Sequence, residues 1–97
     1  MSNINDRVGA ILGAKNGVVE FLGYGVFVGN FELPEHVGGL NFGQVNPKIE
    51  LDNGKEVWGC ECWWGSEEQT KKELEKYDTV IEVDIEEVRK SNDENKN

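Results

Sequence analysis

The sequence has no surplus of positive charge. Ten Lys and Arg stand against nineteen Asp and Glu, a formal net charge of −9. Nucleic-acid binding draws on Lys and Arg contacts to phosphates, so the charge argues against a generic binder of duplex DNA. It argues equally against an anionic membrane surface. What it permits is a basic partner, mimicry of nucleic acid by an acidic surface, or plain solubility. No apolar run approaches the roughly 18 residues of a transmembrane helix. Residues 1–7 show no basic region followed by an apolar stretch, so no signal peptide is expected and the expected location is cytoplasmic. Histidine is nearly missing, with His36 the single imidazole. The glycines lack the GxGxxG spacing and no Lys-Ser/Thr follows a glycine cluster, so there is no phosphate loop and no cofactor is expected.

What is present is concentrated. The nine residues Val57-Trp-Gly-Cys-Glu-Cys-Trp-Trp-Gly65 hold all three tryptophans and both cysteines. On the period of a strand, Trp58, Cys60, Cys62 and Trp64 share one face, while Val57, Gly59, Glu61 and Trp63 share the other. The first row reads as core. The second places Trp63 beside the Glu61 carboxylate and reads as a contact surface.

Around this segment the pattern is mostly β. Residues 7–13 alternate weakly as a strand. Asn16-Gly17 is a hairpin signal, because a type I′ turn needs positive φ at both central residues, and residues 18–22 return. The glycine-rich stretch 23–29 follows, its glycines read as allowing a strongly curved sheet to close on itself. Residues 30–46 show no clean period, and long irregular loops in small domains are functional or mobile. Asn53-Gly54 marks a second hairpin from residue 47 to residue 64. With a two-residue loop, Asp52 faces Lys55 and Ile49 faces Trp58, which sets Ile49, Leu51 and Trp58 on one face.

Ser66-Glu67-Glu68-Gln69 is a capping box opening a helix over 67–77, with Thr70, Leu74 and Tyr77 on its packing face. A last strand over 79–85 is predicted to turn Ile81, Val83 and Ile85 inward, with a short helical turn at 86–90. The expected fold is a small, curved, SH3-like, partly open barrel of two Asn-Gly hairpins, then one helix and a terminal strand. Ninety-seven residues fit one domain, taken as 1–90 with a disordered polar tail at 91–97.

Each candidate chemistry has a plain structural counterpart. Cys60 and Cys62, two apart on a strand, point the same way and are poorly placed for a disulfide. A zinc site needs about four ligands, and only His36 and carboxylates remain to complete one, so no metal is expected. The plain reading is two reduced thiols packed between tryptophans. A nucleophilic cysteine needs a base, and nothing brings His36 to the strand. The paired carboxylates Glu67-Glu68 and Glu86-Glu87 serve capping and solubility. A nucleotide could stack on Trp63, Tyr24 or Phe42, at roughly 1–3 kcal/mol per base. The alternative is that Tyr24 and Phe42 complete the core and that Trp63 covers the helix, and for Trp63 the two readings weigh equally.

Five strings, Arg7-Val-Gly-Ala-Ile-Leu12, Gly23-Tyr-Gly-Val-Phe-Val-Gly29, Asn46-Pro-Lys-Ile-Glu-Leu-Asp-Asn-Gly54, the nine residues above and Ile81-Glu-Val-Asp-Ile85, resemble a group of small phage and prophage proteins of unassigned function. The resemblance spans most of the chain and carries over no catalytic residue. It implies a context in which small acidic proteins disarm host defence by binding a defence protein, mimicking DNA, or sequestering a nucleotide messenger, as sponge proteins do. The expectation is thus a non-enzymatic binding protein that acts in the host cytoplasm, through Trp63, Glu61, Tyr24, Phe42, His36 and Arg7. A nucleotide would also need Arg7, Lys48 and Lys55 gathered locally. Two other readings are a virion or assembly component and an enzyme using Cys60 or Cys62 with His36. An exposed edge strand makes a homo-oligomer an open expectation.

Overall fold

A computed structural model describes residues 4–38 and 43–94, with His36, Gly38 and residues 92–94 described by backbone alone. The elements run β1 (Arg7–Lys15), β2 (Val18–Glu32), α1 (Glu35–Gly38), β3 (Val45–Leu51), β4 (Glu56–Trp58), β5 (Trp63–Ser66), α2 (Glu67–Leu74), β6 (Thr79–Glu82) and α3 (Ile85–Glu94). The fold is mostly β, as the alternation predicts. The sheet order is β4-β3-β2-β1-β5, antiparallel throughout, with β6 added in parallel to β2. It bends but does not close on itself, since β4 and β5 end it on either side. No described helix is long and apolar enough to cross a membrane.

The first hairpin forms as its dipeptide dictates. Lys15 pairs Val18, and Asn16 and Gly17 take φ of 54° and 80°, the type I′ signature. The returning strand and the glycine-rich stretch are one strand, β2, bent where Gly23 and Gly29 take φ of 133° and 123° and where its pairing slips by a residue. The stretch expected to be irregular is shorter, because β2 runs through Glu32 and β3 begins at Val45.

The second hairpin is shifted by one. Ile49 pairs Val57, and Trp58 pairs Lys48. The turn is Asp52-Asn53-Gly54: Gly54 N–H donates to Leu51 O at 2.9 Å, Leu51 N–H donates to Lys55 O at 2.8 Å, and Gly54 takes φ of 88°. A type I turn followed by a left-handed glycine uses the same residues as a two-residue turn but adds a position. Because strand faces alternate, that position exchanges the rows. Val57, fully buried, takes the core place expected of Trp58 beside Ile49 and Leu51.

The main core joins Val8, Ala10, Leu22, Phe27, Ile49, Leu51, Val57 and Ile85. A second cluster of Ile11, Val19 and Phe21 is covered by Leu74 and Tyr77, which bears out the packing face read for the capped helix. Its regular part stops at Leu74, before the expected Tyr77. The capping box is complete: Gln69 N–H donates to Ser66 Oγ at 3.1 Å and Ser66 N–H donates to Gln69 Oε1 at 3.2 Å. Thr70 is fully buried against β1 at Gly9, where any Cβ would overlap it.

The C-terminal expectations change most. β6 stops at Glu82, and all four of its residues are exposed, Ile81 at 47%. Among the described residues it pairs with β2 alone, and its apolar Val80 and Ile81 are left exposed. Ile85, expected on that strand, instead opens α3 and enters the core, while Val83 is half-buried. α3 continues to Glu94, past residue 90 where the polar tail was expected to begin.

Candidate functional site

The nine-residue segment is two short strands and a turn. β4 ends at Trp58, residues 59–62 turn, and β5 starts at Trp63 and crosses to pair β1. Gly59 N–H donates to Pro47 O at 2.8 Å, and Glu61 N–H donates to Trp58 O at 2.9 Å, which reverses the chain. A Cβ at Gly59 would press on the Pro47 ring and the Trp64 indole, so the turn needs glycine there.

The turn interrupts the expected row of Trp58, Cys60, Cys62 and Trp64 as a strand, yet Trp58 is buried and Cys62 and Trp64 pack on the main core, so Cys60 is the member that departs from it. Trp58 is 4% exposed but lies outside the main cluster, with Lys48 Nζ 5.9 Å from its ring and 5.4 Å from that of Phe31. Trp64 stacks on Phe27 at 5.2 Å and is half-buried. Cys62 packs on the main core and donates its thiol to Trp58 O at 3.5 Å, whereas Cys60 is at the surface. Burial, then the Glu61 carboxylate, pushes the Cys62 thiol up to about 12. The same two causes push Cys60 up. Both thiols therefore stay protonated at neutral pH, the inert state of a cysteine. Among the described residues no group of three or more His, Cys, Asp or Glu is placed to hold a metal.

The second row divides. Trp63 is 43% exposed on β5, an edge strand, opposite Ile11. Its ring lies along Gly65, where a Cβ would come within 3.1 Å of it. Glu61 is bound instead. Arg89 on α3 donates to Glu61 from Nε at 2.8 Å and from Nη2 at 2.7 Å, and Trp58 N–H donates to the same carboxylate at 3.1 Å. The two side chains are only 20% and 15% exposed. Glu61 thus ties the turn to α3.

Among the described residues, the other site residues read from the sequence do not converge on one pocket: Tyr24 and Arg7 line different ones. Arg7 on β1 makes a bidentate pair with Asp52, 2.7 Å for each bond, and donates to Glu67 at 3.2 Å. Hydrogen bonds to those carboxylates, Asp52 first, raise its pKa further. Tyr24 on β2 meets Phe21 edge-on at 4.9 Å and is half-buried. Phe42 lies outside the described residues, and of His36 only its backbone, on α1, is described. Trp63 and Tyr24 lie in different cross-strand rows, Trp63 opposite Ile11 and Tyr24 opposite Gly9.

No protein-family model, curated protein or solved structure matches this chain. Its function therefore rests on the site. Sequence reasoning missed Arg89, because a partner 28 residues from Glu61 leaves no local pattern. It also missed how fully the cations are occupied. Seven of the ten Lys and Arg, namely Arg7, Lys48, Lys55, Lys71, Lys72, Lys76 and Arg89, sit in ion pairs with carboxylates.

Proposed function

We propose that this chain is a non-catalytic binding protein of phage or prophage type, acting in the host cytoplasm against antiviral defence by holding a defence protein. The observation that carries the reading is Trp63: with the other two tryptophans packed inward, this one stands 43% exposed on an edge strand. Exposed aromatics of this kind anchor protein interfaces, where Trp is enriched among the residues that dominate affinity.

Of the two partner classes, a protein fits the charges better than a nucleotide messenger. The cations a phosphate would need, Arg7, Lys48 and Lys55, are each held by carboxylates. Freeing them breaks pairs already made, and the net charge of −9 repels an anion. A basic protein surface meets no such cost. The open, bent sheet supports an SH3-like description, in which edge strands and their aromatics are natural contact surfaces. Self-association through an edge remains part of the same proposal. A cysteine-dependent enzyme is the weaker reading, because both thiols are held protonated.

Trp63→Ala tests this directly. Affinity for a host protein captured by the full chain is expected to fall by at least about thirtyfold, the effect of losing an anchor worth about 2 kcal/mol. Stability should change by less than about 1 kcal/mol. A large loss of stability would assign Trp63 to the core instead. Calorimetric heat with cyclic nucleotides would replace the protein partner by a messenger.

A further inference from the structure

Two strands share one edge of β2. Its other edge pairs β1 from Val18 to Val26. On this edge β6 takes Val18 to Phe21, and β3 takes Gly25 to Glu32. Between them residues 22–24 meet no strand on this edge among the described residues, while Gly23 and Tyr24 pair β1 on the other. The neighbours end in single hydrogen bonds: Val83 N–H donates to Phe21 O at 2.9 Å, and Asp52 N–H donates to Tyr24 O at 2.9 Å. The two segments part over Gly23, leaving a cleft of about 400 Å³.

The walls and the rim of the cleft differ in chemistry. Phe21, Tyr24, Leu51 and Val83 line it with apolar surface, while Asp52, Glu82 and Asp84 bring three carboxylates. Asp52 is held by Arg7 and Asp84 by Lys55. Arg7 and Lys55 are engaged a second time by Glu67 and Glu86, which lie outside the cleft lining. Glu82 has no cation partner among the described residues.

We infer that this cleft binds an organic cation on an alkyl stem, an ammonium or a guanidinium. The stem lies against the aromatic and aliphatic walls, as Lys and Arg stems lie on apolar surface elsewhere. The charged head meets Glu82 and the outer lone pairs of Asp52 and Asp84, with Tyr24 available for a cation–π contact. A neutral molecule gains only the walls, and an anion is repelled. The site is separate from Trp63 and does not depend on the partner proposed above. Such a head group can belong to a free amine or to a Lys or Arg side chain of a bound protein.

The test is an amide-resolved NMR titration of the full chain with pentylamine and butylguanidinium, matched against pentanol and pentanoate. The cations are expected to shift the signals of Gly23, Tyr24 and residues 82–84, with a midpoint at least about fivefold below that of pentanol. Glu82→Gln, at an exposed position, should weaken the cations about fivefold and leave pentanol unchanged. Trp63→Ala should leave all of these shifts in place. Pentanol binding as well as pentylamine, or an indifferent Glu82→Gln, overturns the inference. Acetyl-Ala-Arg-Ala-amide separates the sources. Binding tighter than butylguanidinium supports a partner's side chain, and weaker binding supports a free amine, with the cation site upheld in both.

Discussion

Glu61 shows how one residue can read as contact surface and serve as structure. On a continuous strand it would stand beside Trp63, facing solvent. In the turn it accepts from Trp58 N–H and from two nitrogens of Arg89, so a single carboxylate satisfies a buried strand end and anchors α3. Bonds of this kind, charged and largely shielded from water, are worth more than exposed pairs. Glu61→Ala is expected to lower stability by about 2 kcal/mol in urea denaturation, because it leaves Arg89 and the Trp58 amide unpaired. Glu68→Ala removes only an exposed pair with Lys72 and should cost less than about 0.5 kcal/mol. Equal effects at the two sites would show that the Glu61 pair holds nothing in place.

At the scale of the element, glycines decide how closely backbones approach. A Cβ on Gly25 would overlap the backbone of Glu50 and Leu51 on the neighbouring strand, which cannot yield as a side-chain tip can. Gly13 has open space around its missing Cβ and no positive φ. Gly25→Ala is therefore expected to destabilise by about 3 kcal/mol or to prevent folding. Gly13→Ala should be neutral or stabilising by up to about 1 kcal/mol, through a less flexible unfolded chain. Thermal melts of the two variants check this, and a tolerated Gly25→Ala would mean the β2–β3 spacing is looser than described. These two glycines stand in similar sequence settings, and only the neighbouring strand distinguishes them. The Asn53-Gly54 hairpin was legible as a hairpin but not in register, because glycine satisfies both a two-residue and a three-residue loop. The capped helix was legible in both its start and its buried face, since Ser66, Gln69 and Thr70 act within one turn of each other.

For the whole molecule, stability is expected to fall at both ends of the pH scale. Arg7 holds the Asp52 carboxyl below its ordinary 3.8, and Lys55 does the same for Asp84. The folded state thus binds these protons less readily than the unfolded chain, so stability is present above about pH 4 and is lost as pH falls further. Cys62 acts in the opposite direction. Its thiol keeps its proton up to about 12 when folded, against 9.0 ordinarily, so its contribution is intact below pH 9 and is lost as pH rises from there toward 12. Asp52→Asn should flatten the acid limb of a melting-temperature profile, and Cys62→Ala the alkaline limb. An alkaline limb unchanged in Cys62→Ala would mean that the thiol titrates as freely in the fold as out of it.

The sequence by itself determined the β-rich class, the two hairpin turns, the capped helix and the strong negative charge. Each depends on residue type or on contacts within a few positions. Only the tertiary structure decided that the nine-residue segment breaks after Trp58, that Val57 takes the inward place, and that Arg89 closes on Glu61. It also decided that β6 and β3 share one edge of β2 and leave a cleft between them. These are choices among distant partners, made by which face finds cover and which carboxylate finds a cation, and no local period encodes them. Of the site residues read from the sequence whose side chains are described, Trp63 is the one that the fold leaves exposed on an edge strand.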